Sequence, residues 1–265
     1  MVVGIAARSQ QPMLPSGGCN SEPMAELAVV IPTYNERENV EHVLASLRAA
    51  LSGIEWRVIF VDDNSPDGTA DVLHRLAKEN PRICVRERPV RLGLSSACID
   101  GMMTASSPYI AVMDADLQHD ERILSEMLSR LKGEDVDVVV ASRTIPGGSM
   151  GDLPLARVWL SNVGKMLGRL VCRCDISDAM SGFFVIRREF FQRVVNRLTG
   201  KGFKLLVDLL ASSVVPVRIL EVPYRFRGRQ RGTSKLSTGV ELQFLYLVAA
   251  KAIRKSISTL FMLFE

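Results

Sequence analysis

From Leu27 onward, short apolar runs rich in β-branched residues alternate with segments whose apolar residues recur at helical spacing. Five of these runs have the length of one buried strand each: LAVVIP, WRVIFVDD, RICVRE, YIAVMDAD and VDVVVASR. The segments between them are long enough for the crossover helices that parallel strands require. The alternation therefore predicts an α/β fold with a mostly parallel central sheet and helices on both faces.

The length of 265 residues fits one such domain with an additional segment at each end. Residues 1–25 are rich in Ser, Gly, Pro and Gln, which predicts a disordered leader, and they lack the basic region of a secretory signal. Residues 26–237 are expected to form the domain. Residues 238–265 are typical of an amphipathic helix on an anionic membrane, although packing on the domain core would explain the same pattern. No apolar stretch reaches the roughly 18–20 residues of a spanning helix.

Asp114 and Asp116 follow the apolar run YIAVM and are separated by one residue. In an extended strand they would project to the same face, where two carboxylates repel each other unless a cation lies between them. Mg²⁺ and Mn²⁺ take oxygen ligands of this kind together with phosphate oxygens and water, and Gln118 offers another oxygen. The alternative is a loop in which both acids point to water. Ligands bind at the carboxyl ends of strands in open α/β sheets, and this position favours the metal site.

A basic stretch closes the predicted domain, with five cationic residues within eleven positions that also hold two glycines and one serine: Arg225, Arg227, Arg229, Arg231 and Lys235. Most basic stretches are solvated faces, but a Gly-rich loop can close over an anion, and arginine suits phosphate. The glycine loops GxGxxG and GxxxxGK[ST] are missing, so a metal would have to neutralise the phosphates of a bound nucleotide. The net charge of +4 is mild, and we expect no nucleic-acid partner. The five cysteines have no paired spacing, which favours a reducing, cytoplasmic setting without a disulfide framework.

Eight segments in order resemble family 2 glycosyltransferases of GT-A fold, and among them the dolichol-phosphate (polyprenol-phosphate) mannosyltransferases: VVIPTYNE, VDDNSPDGT, RPVRLGLSSA, DADLQH, ASR, SGFF, GFKLL and EVPYRFRGRQRGTSKL. The ordered set is specific, although each piece alone is not. The resemblance implies an inverting enzyme that uses Mg²⁺ or Mn²⁺ and transfers mannose from GDP-mannose to a dolichyl or polyprenyl phosphate. It also implies a peripheral protein at the cytoplasmic face of a membrane, and it leaves open a membrane subunit or a homo-oligomer.

The same resemblance implies three groups of site residues. The donor would be bound by Pro32, Tyr34, Glu36, Asp63, Asp114, Ala115 and Asp116, with the metal on Asp114, Asp116 and Gln118. The acceptor phosphate would be bound by Arg143, Arg157, Ser161, Arg229, Arg231 and Lys235, and the catalytic residues would be Asp116, Arg143 and Arg231. A phosphate monoester is largely dianionic at neutral pH and needs no general base. His119 is accordingly interpreted as a turn residue.

Two other interpretations remain open at this point. The same chemistry could use UDP-glucose or a UDP-amino sugar with undecaprenyl phosphate, because the residues around Tyr34, Glu36 and Asp63 do not settle the base. A receiver-like signalling module would share the motif FVDD at a strand end. That module needs a phosphorylatable aspartate at the end of the next strand, and MTASSP at residues 103–108 offers none.

Overall fold

Seven strands form the central sheet of the computed structural model, which describes residues 25–149 and 174–227. Their bounds are β1 Leu27–Thr33, β2 Trp56–Asp62, β3 Ile83–Glu87, β4 Tyr109–Val112, β5 Val138–Ser142, β6 Phe184–Arg187 and β7 Ile219–Pro223. They lie side by side in the order β3-β2-β1-β4-β6-β5-β7. In this sheet β6 runs antiparallel to its neighbours β4 and β5, and the other adjacent pairs are parallel. The predicted mostly parallel sheet is confirmed.

Helices cover both faces of the sheet, as predicted. Their bounds are α1 Val40–Ala50, α2 Thr69–Glu79, α3 Leu94–Thr104, α4 Leu124–Gly133, α5 Arg188–Val194 and α6 Leu205–Ser212. The first four connect consecutive strands from β1 to β5, and a short 3₁₀ turn, Glu121–Ile123, precedes α4. Each of these connections has the crossover form that parallel strands require.

The sheet separates two apolar cores. Along β1, Ala28 and Val30 face the core that contains residues of α3, α5 and α6. The alternate residues Leu27, Val29 and Ile31 face the core that contains residues of α1, α2 and α4. Because both faces of β1 are buried, its sequence is apolar throughout and shows no polar alternation.

Buried polar side chains join the carboxyl ends of β1 and β2. The Asp62 carboxylate accepts hydrogen bonds from Thr33 Oγ1 at 3.0 Å and from the Ser65 backbone N–H at 2.8 Å. Five residues after Asp62, Asp67 Oδ1 accepts a hydrogen bond from the Thr69 N–H at 3.0 Å, at the first residue of α2. These bonds hold the turns at this edge of the sheet in fixed positions, so the loops that reach it have a rigid support.

Some predictions concern residues that the structure does not describe. These are the leader up to residue 24, the helix at 238–265, and the acceptor side chains Arg157, Ser161, Arg229, Arg231 and Lys235. Among residues 25–149 and 174–227, we find no helix with the length and apolar character needed to cross a bilayer. The cysteine spacing predicted no disulfide framework, but Cys84 on β3 is disulfide-bonded.

Helix α3 lies very close to the sheet at Gly101. A Cβ atom on this residue would be 2.4 Å from Val30 Cγ1 and 3.0 Å from Val61 Cγ2. We expect Gly101→Ala to lower the free energy of unfolding by about 1–3 kcal/mol, because overpacking forces side chains and backbone to shift. Gly133→Ala is the matched control, since no atom lies within 4 Å of its added Cβ. Urea denaturation measures both variants, and equal stability would contradict this close packing.

Candidate active site

Asp114 and Asp116 lie in a turn that follows β4, and the expectation that they belong to the strand is wrong. The strand ends at Val112, and the Met113 N–H makes a last backbone bond to Val30 O. Beyond it the chain bends away, because Leu117 has a left-handed φ of 62° and the Gln118 N–H donates to Asp116 Oδ1 at 3.2 Å. We call residues 114–118 the acidic turn.

The acidic turn presents a set of hard oxygen atoms. Gln118 Nε2 donates to the Arg227 carbonyl at 3.1 Å, which leaves Oε1 as the amide atom that can bind a cation. In the part of the chain that the structure describes, no three His, Cys, Asp or Glu side chains cluster closely enough to hold a metal. Two carboxylates and one amide oxygen are too few for a closed metal cage. They fit Mg²⁺ or Mn²⁺ that takes its remaining ligands from phosphate and water.

His119 and Gly182 border the carboxylate of Asp114. His119 is 2% exposed; its Nε2 lies 3.3 Å from Asp114 Oδ2 and its Nδ1 lies 3.2 Å from the Tyr224 hydroxyl. A Cβ atom on Gly182 would lie 3.3 Å from the same Asp114 oxygen, so this glycine lets the backbone approach the carboxylate. His119 lies in a bend, in agreement with its interpretation as a turn residue, and its ring is in addition buried and bonded on both nitrogens.

Arg143 follows β5 and forms a bidentate ion pair with a buried carboxylate. Its Nε lies 2.7 Å from Asp178 Oδ2 and its Nη2 lies 2.8 Å from Asp178 Oδ1. The Glu221 carboxylate holds the segment that contains Asp178, because it accepts hydrogen bonds from the backbone N–H groups of Ser177 and Asp178 at 2.8 and 3.0 Å. Burial opposes the charge, but the ion pair with Asp178 raises the pKa of Arg143 above its ordinary value. The guanidinium is therefore charged, oriented and already neutralised by a partner.

Lys204 brings a second cation to this region from the residue before α6. Burial and repulsion by Arg143 lower its pKa to about 8, while Asp114 and Asp178 act in the opposite direction. Within residues 25–149 and 174–227 its ammonium has no ion-pair partner. Lys204 is partly buried, and an ammonium held beside an arginine in such a place is costly unless an anion binds there. Lys204 was not among the residues predicted from the sequence, although a lysine within the apolar segment GFKLL was a visible signal.

The residues predicted to bind the nucleotide lie after β1 and β2. Asp63 is buried, and its carboxylate accepts hydrogen bonds from Arg88 Nη1 at 3.1 Å and from the Gly93 N–H at 2.8 Å. It thereby anchors the loop that leads into α3. From that loop, the Arg91 guanidinium stacks on the Tyr34 ring at 3.7 Å from its centroid. Asp63 has a structural task here, and its contact with the nucleotide stays a prediction.

The remaining predicted donor residues lie in β1, before α1 and in the acidic turn. Pro32 is in β1, Glu36 precedes α1 and accepts from Asn39 Nδ2 at 2.7 Å, and Ala115 lies buried between the two aspartates. The start of the basic stretch is also described. The Arg227 side chain pairs with Asp120 at 2.8 Å and with Glu121 at 3.2 Å, so this arginine is committed to the protein itself.

Comparison with known proteins gives concordant results. Residues 28–195 match the model of glycosyl transferase family 2. A dolichol-phosphate mannosyltransferase from Pyrococcus furiosus is 36% identical over 222 residues, which are 83% of this chain and 62% of that protein. A protein of the same name from Saccharomyces cerevisiae is 34% identical over 229 residues, 83% of this chain and 84% of that protein. The chain thus spans less than two thirds of the Pyrococcus relative.

Among solved structures, a mannosyltransferase from Pyrobaculum calidifontis in complex with GDP-Man and Mn²⁺ has a TM-score of 0.59 to this chain. It is 18% identical, and the match covers 92% of this chain and 68% of that one. At this identity the likeness shows the fold alone. The predicted GT-A fold is confirmed, and the roles of individual residues stay predictions.

The charge environment of Lys204 can be tested without any substrate. We expect its ammonium to titrate near pH 8 in the metal-free protein, against an ordinary pKa of 10.5, because burial and Arg143 disfavour the charged form. Asp114→Asn should lower this pKa further, since it removes one of the two acids that raise it. NMR of ¹³C-dimethylated lysines measures both proteins. A Lys204 signal that titrates above pH 10 and ignores the Asp114 change would contradict this placement.

Proposed function

Because the chain belongs to glycosyl transferase family 2, we propose that it transfers mannose from GDP-mannose to a dolichyl or polyprenyl phosphate. Two of its relatives are named for dolichol-phosphate mannosyl transfer, and one structural neighbour was solved with GDP-Man. The observation that carries the proposal is the meeting of opposite charges at one sheet edge. The acidic turn, Arg143 and Lys204 lie close enough to perturb one another electrostatically. The family match also removes the receiver-like alternative.

The acidic turn suits the donor half of this reaction. Asp114, Asp116 and Gln118 would hold Mg²⁺ or Mn²⁺, which, when bound, acts as a Lewis acid on the diphosphate of the leaving nucleotide. The backbone bond from Gln118 to Asp116 and the bond from its amide to Arg227 fix these ligands before any donor arrives. A preorganised ligand set needs little rearrangement when charge develops on the leaving group.

The cations suit the acceptor half. A phosphate monoester carries its own nucleophilic oxygen and needs no proton removed, which agrees with a site in which His119 is bonded to Asp114 and Tyr224. Two anions must nevertheless approach each other, and Arg143 and Lys204 would offset their repulsion. Arg229 and Arg231 follow the anchored Arg227 by two and four positions, and we propose that they join this set. Attack from the face opposite the leaving group would invert the anomeric carbon.

The site of action follows from the acceptor. A polyprenyl phosphate is held by the bilayer, so we expect the protein to act as a peripheral enzyme at the cytoplasmic membrane face, with residues 238–265 on the lipid. A membrane subunit or a second copy of the chain would be compatible with this arrangement. UDP-glucose or a UDP-amino sugar is the alternative donor.

Transfer from radiolabelled GDP-mannose to polyprenyl phosphate in the presence of Mg²⁺ or Mn²⁺ tests the proposal directly. We expect a labelled lipid that disappears with EDTA. Asp116→Asn should abolish transfer, because it removes one of the two carboxylates that hold the cation, while circular dichroism shows an intact fold. Asp135→Asn is the matched control. That side chain is 87% exposed, and the residue follows α4 and lies outside the acidic turn.

The donor is varied in the same assay. Product formed from UDP-glucose or a UDP-amino sugar, with none from GDP-mannose, would change the proposed donor and leave the proposed reaction class as it is. No lipid product with any of the nucleotide sugars would overturn the proposal.

Lys204→Met should weaken the acceptor step more than donor binding. A charge-assisted hydrogen bond contributes about 1.5–3 kcal/mol, so kcat/KM for the lipid should fall roughly 10- to 100-fold. Arg231→Ala should act in the same direction. Lys201→Met, an exposed lysine three residues earlier in the chain, serves as the control. Initial rates at varied lipid concentration measure the effect, and a Lys204→Met enzyme with unchanged kcat/KM would refute this role.

A further inference from the structure

A hydrogen-bonded chain of three side chains leads from Tyr224, the residue after β7, to the acidic turn. The Tyr224 hydroxyl lies 3.2 Å from His119 Nδ1, and His119 Nε2 lies 3.3 Å from Asp114 Oδ2. Tyr224 is 3% exposed and His119 is 2% exposed, whereas the Asp114 side chain is 38% exposed. The chain therefore runs from the protein interior to a carboxylate with an open side.

We propose that His119 and Tyr224 are positioning residues for the metal site: they hold the Asp114 carboxylate in the orientation that binds the cation of the donor diphosphate. The inference rests on the proposed function, because it assumes that Asp114 is a metal ligand. It assigns the two residues no contact with the substrate. In metal sites generally, residues that hydrogen-bond to a ligand side chain orient that ligand, and their loss lowers metal affinity about 10- to 100-fold.

The direction of each bond follows from donor and acceptor chemistry. A carboxylate that binds a cation is ionised and only accepts, so the proton on His119 belongs to Nε2. His119 Nδ1 is then the acceptor, and the Tyr224 O–H is its donor. Burial raises the pKa of the Tyr224 phenol, which keeps that proton in place. Both bonds point toward Asp114, and the imidazole has a single orientation that satisfies them.

Packing fixes the imidazole ring from the other sides. Its centroid lies 5.1 Å from that of Phe183, 5.9 Å from that of Tyr224 and 5.8 Å from that of Phe226. Tyr224 is itself held by backbone bonds, since its N–H donates to Ser142 O at 3.1 Å. These contacts make the histidine rigid, which a residue that only closed a turn would not require.

Gly182 lies beside the bond between His119 and Asp114. Its added Cβ would lie 3.3 Å from Asp114 Oδ2 and 3.9 Å from His119 Nε2. Any side chain there would push against the bond between the two residues. The absence of a side chain at Gly182 and the bond from His119 thus act on the same oxygen atom.

Mn²⁺ binding in the presence of GDP, measured by electron paramagnetic resonance, tests the inference without catalytic turnover. His119→Phe keeps a ring in the aromatic cluster and removes both nitrogens, and we expect it to raise the Kd for Mn²⁺ roughly tenfold or more. Tyr224→Phe removes one oxygen atom and should give a smaller increase. His119→Gln, whose amide can donate to Asp114, should recover part of the affinity. Tyr109→Phe is the control for loss of a tyrosine hydroxyl from the sheet.

The pattern of Kd and melting temperature separates positioning from packing. If His119→Phe and Tyr224→Phe melt at a lower temperature but bind Mn²⁺ with the wild-type Kd, the two residues only pack and the inference is overturned. Wild-type affinity in both variants together with weak binding by Asp114→Asn would overturn the inference and keep the proposed metal site. Wild-type affinity in Asp114→Asn would overturn both. The inference is supported if the Kd for Mn²⁺ is highest for His119→Phe, lower for Tyr224→Phe and lowest for the wild type.

Discussion

The reversed direction of β6 is the constraint on which the site depends. This strand lies between β4 and β5 and pairs antiparallel with both, with Phe184 opposite Val112 on one side and Val140 on the other. The residues that enter β6 therefore lie at the same edge as the residues that leave β4 and β5. A parallel strand in this place would send that segment to the far edge of the sheet. The reversal is what puts Gly182 against Asp114, and it brings the segment that contains Asp178 to Arg143.

The charges at this edge are arranged in complementary halves. Arg143 is neutralised by Asp178 and so contributes directed N–H donors more than net charge. Lys204 contributes net charge, because no ion pair compensates it in the described part of the chain. The acidic turn carries the opposite sign. The proposed reaction would bring two anions together and would need both signs within a short distance. The acidic turn follows β4 and Arg143 follows β5, on the two sides of β6.

The sequence was sufficient for everything that depends on local periodicity. Apolar runs located the strands, helical spacing located the helices between them, and the ordered motifs identified the family. Periodicity carries no information on strand direction, so the antiparallel β6 was not predicted. It also could not show that β4 stops at Val112, because that stop depends on the left-handed Leu117 and on a bond between Gln118 and Asp116. The hydrogen bonds of the His119 ring were not predicted, because its partner Tyr224 lies 105 positions away.

Gln118 and Arg227 exchange two hydrogen bonds, and these bonds determine which sequence changes the acidic turn can tolerate. The Arg227 N–H donates to Gln118 O at 2.9 Å, and Gln118 Nε2 donates to Arg227 O at 3.1 Å. Both bonds use main-chain atoms of residue 227, while its side chain pairs with Asp120 and Glu121. The main-chain bonds do not depend on which side chain residue 227 carries. A substitution there would therefore remove the ion pairs and leave the acidic turn held by the same two bonds.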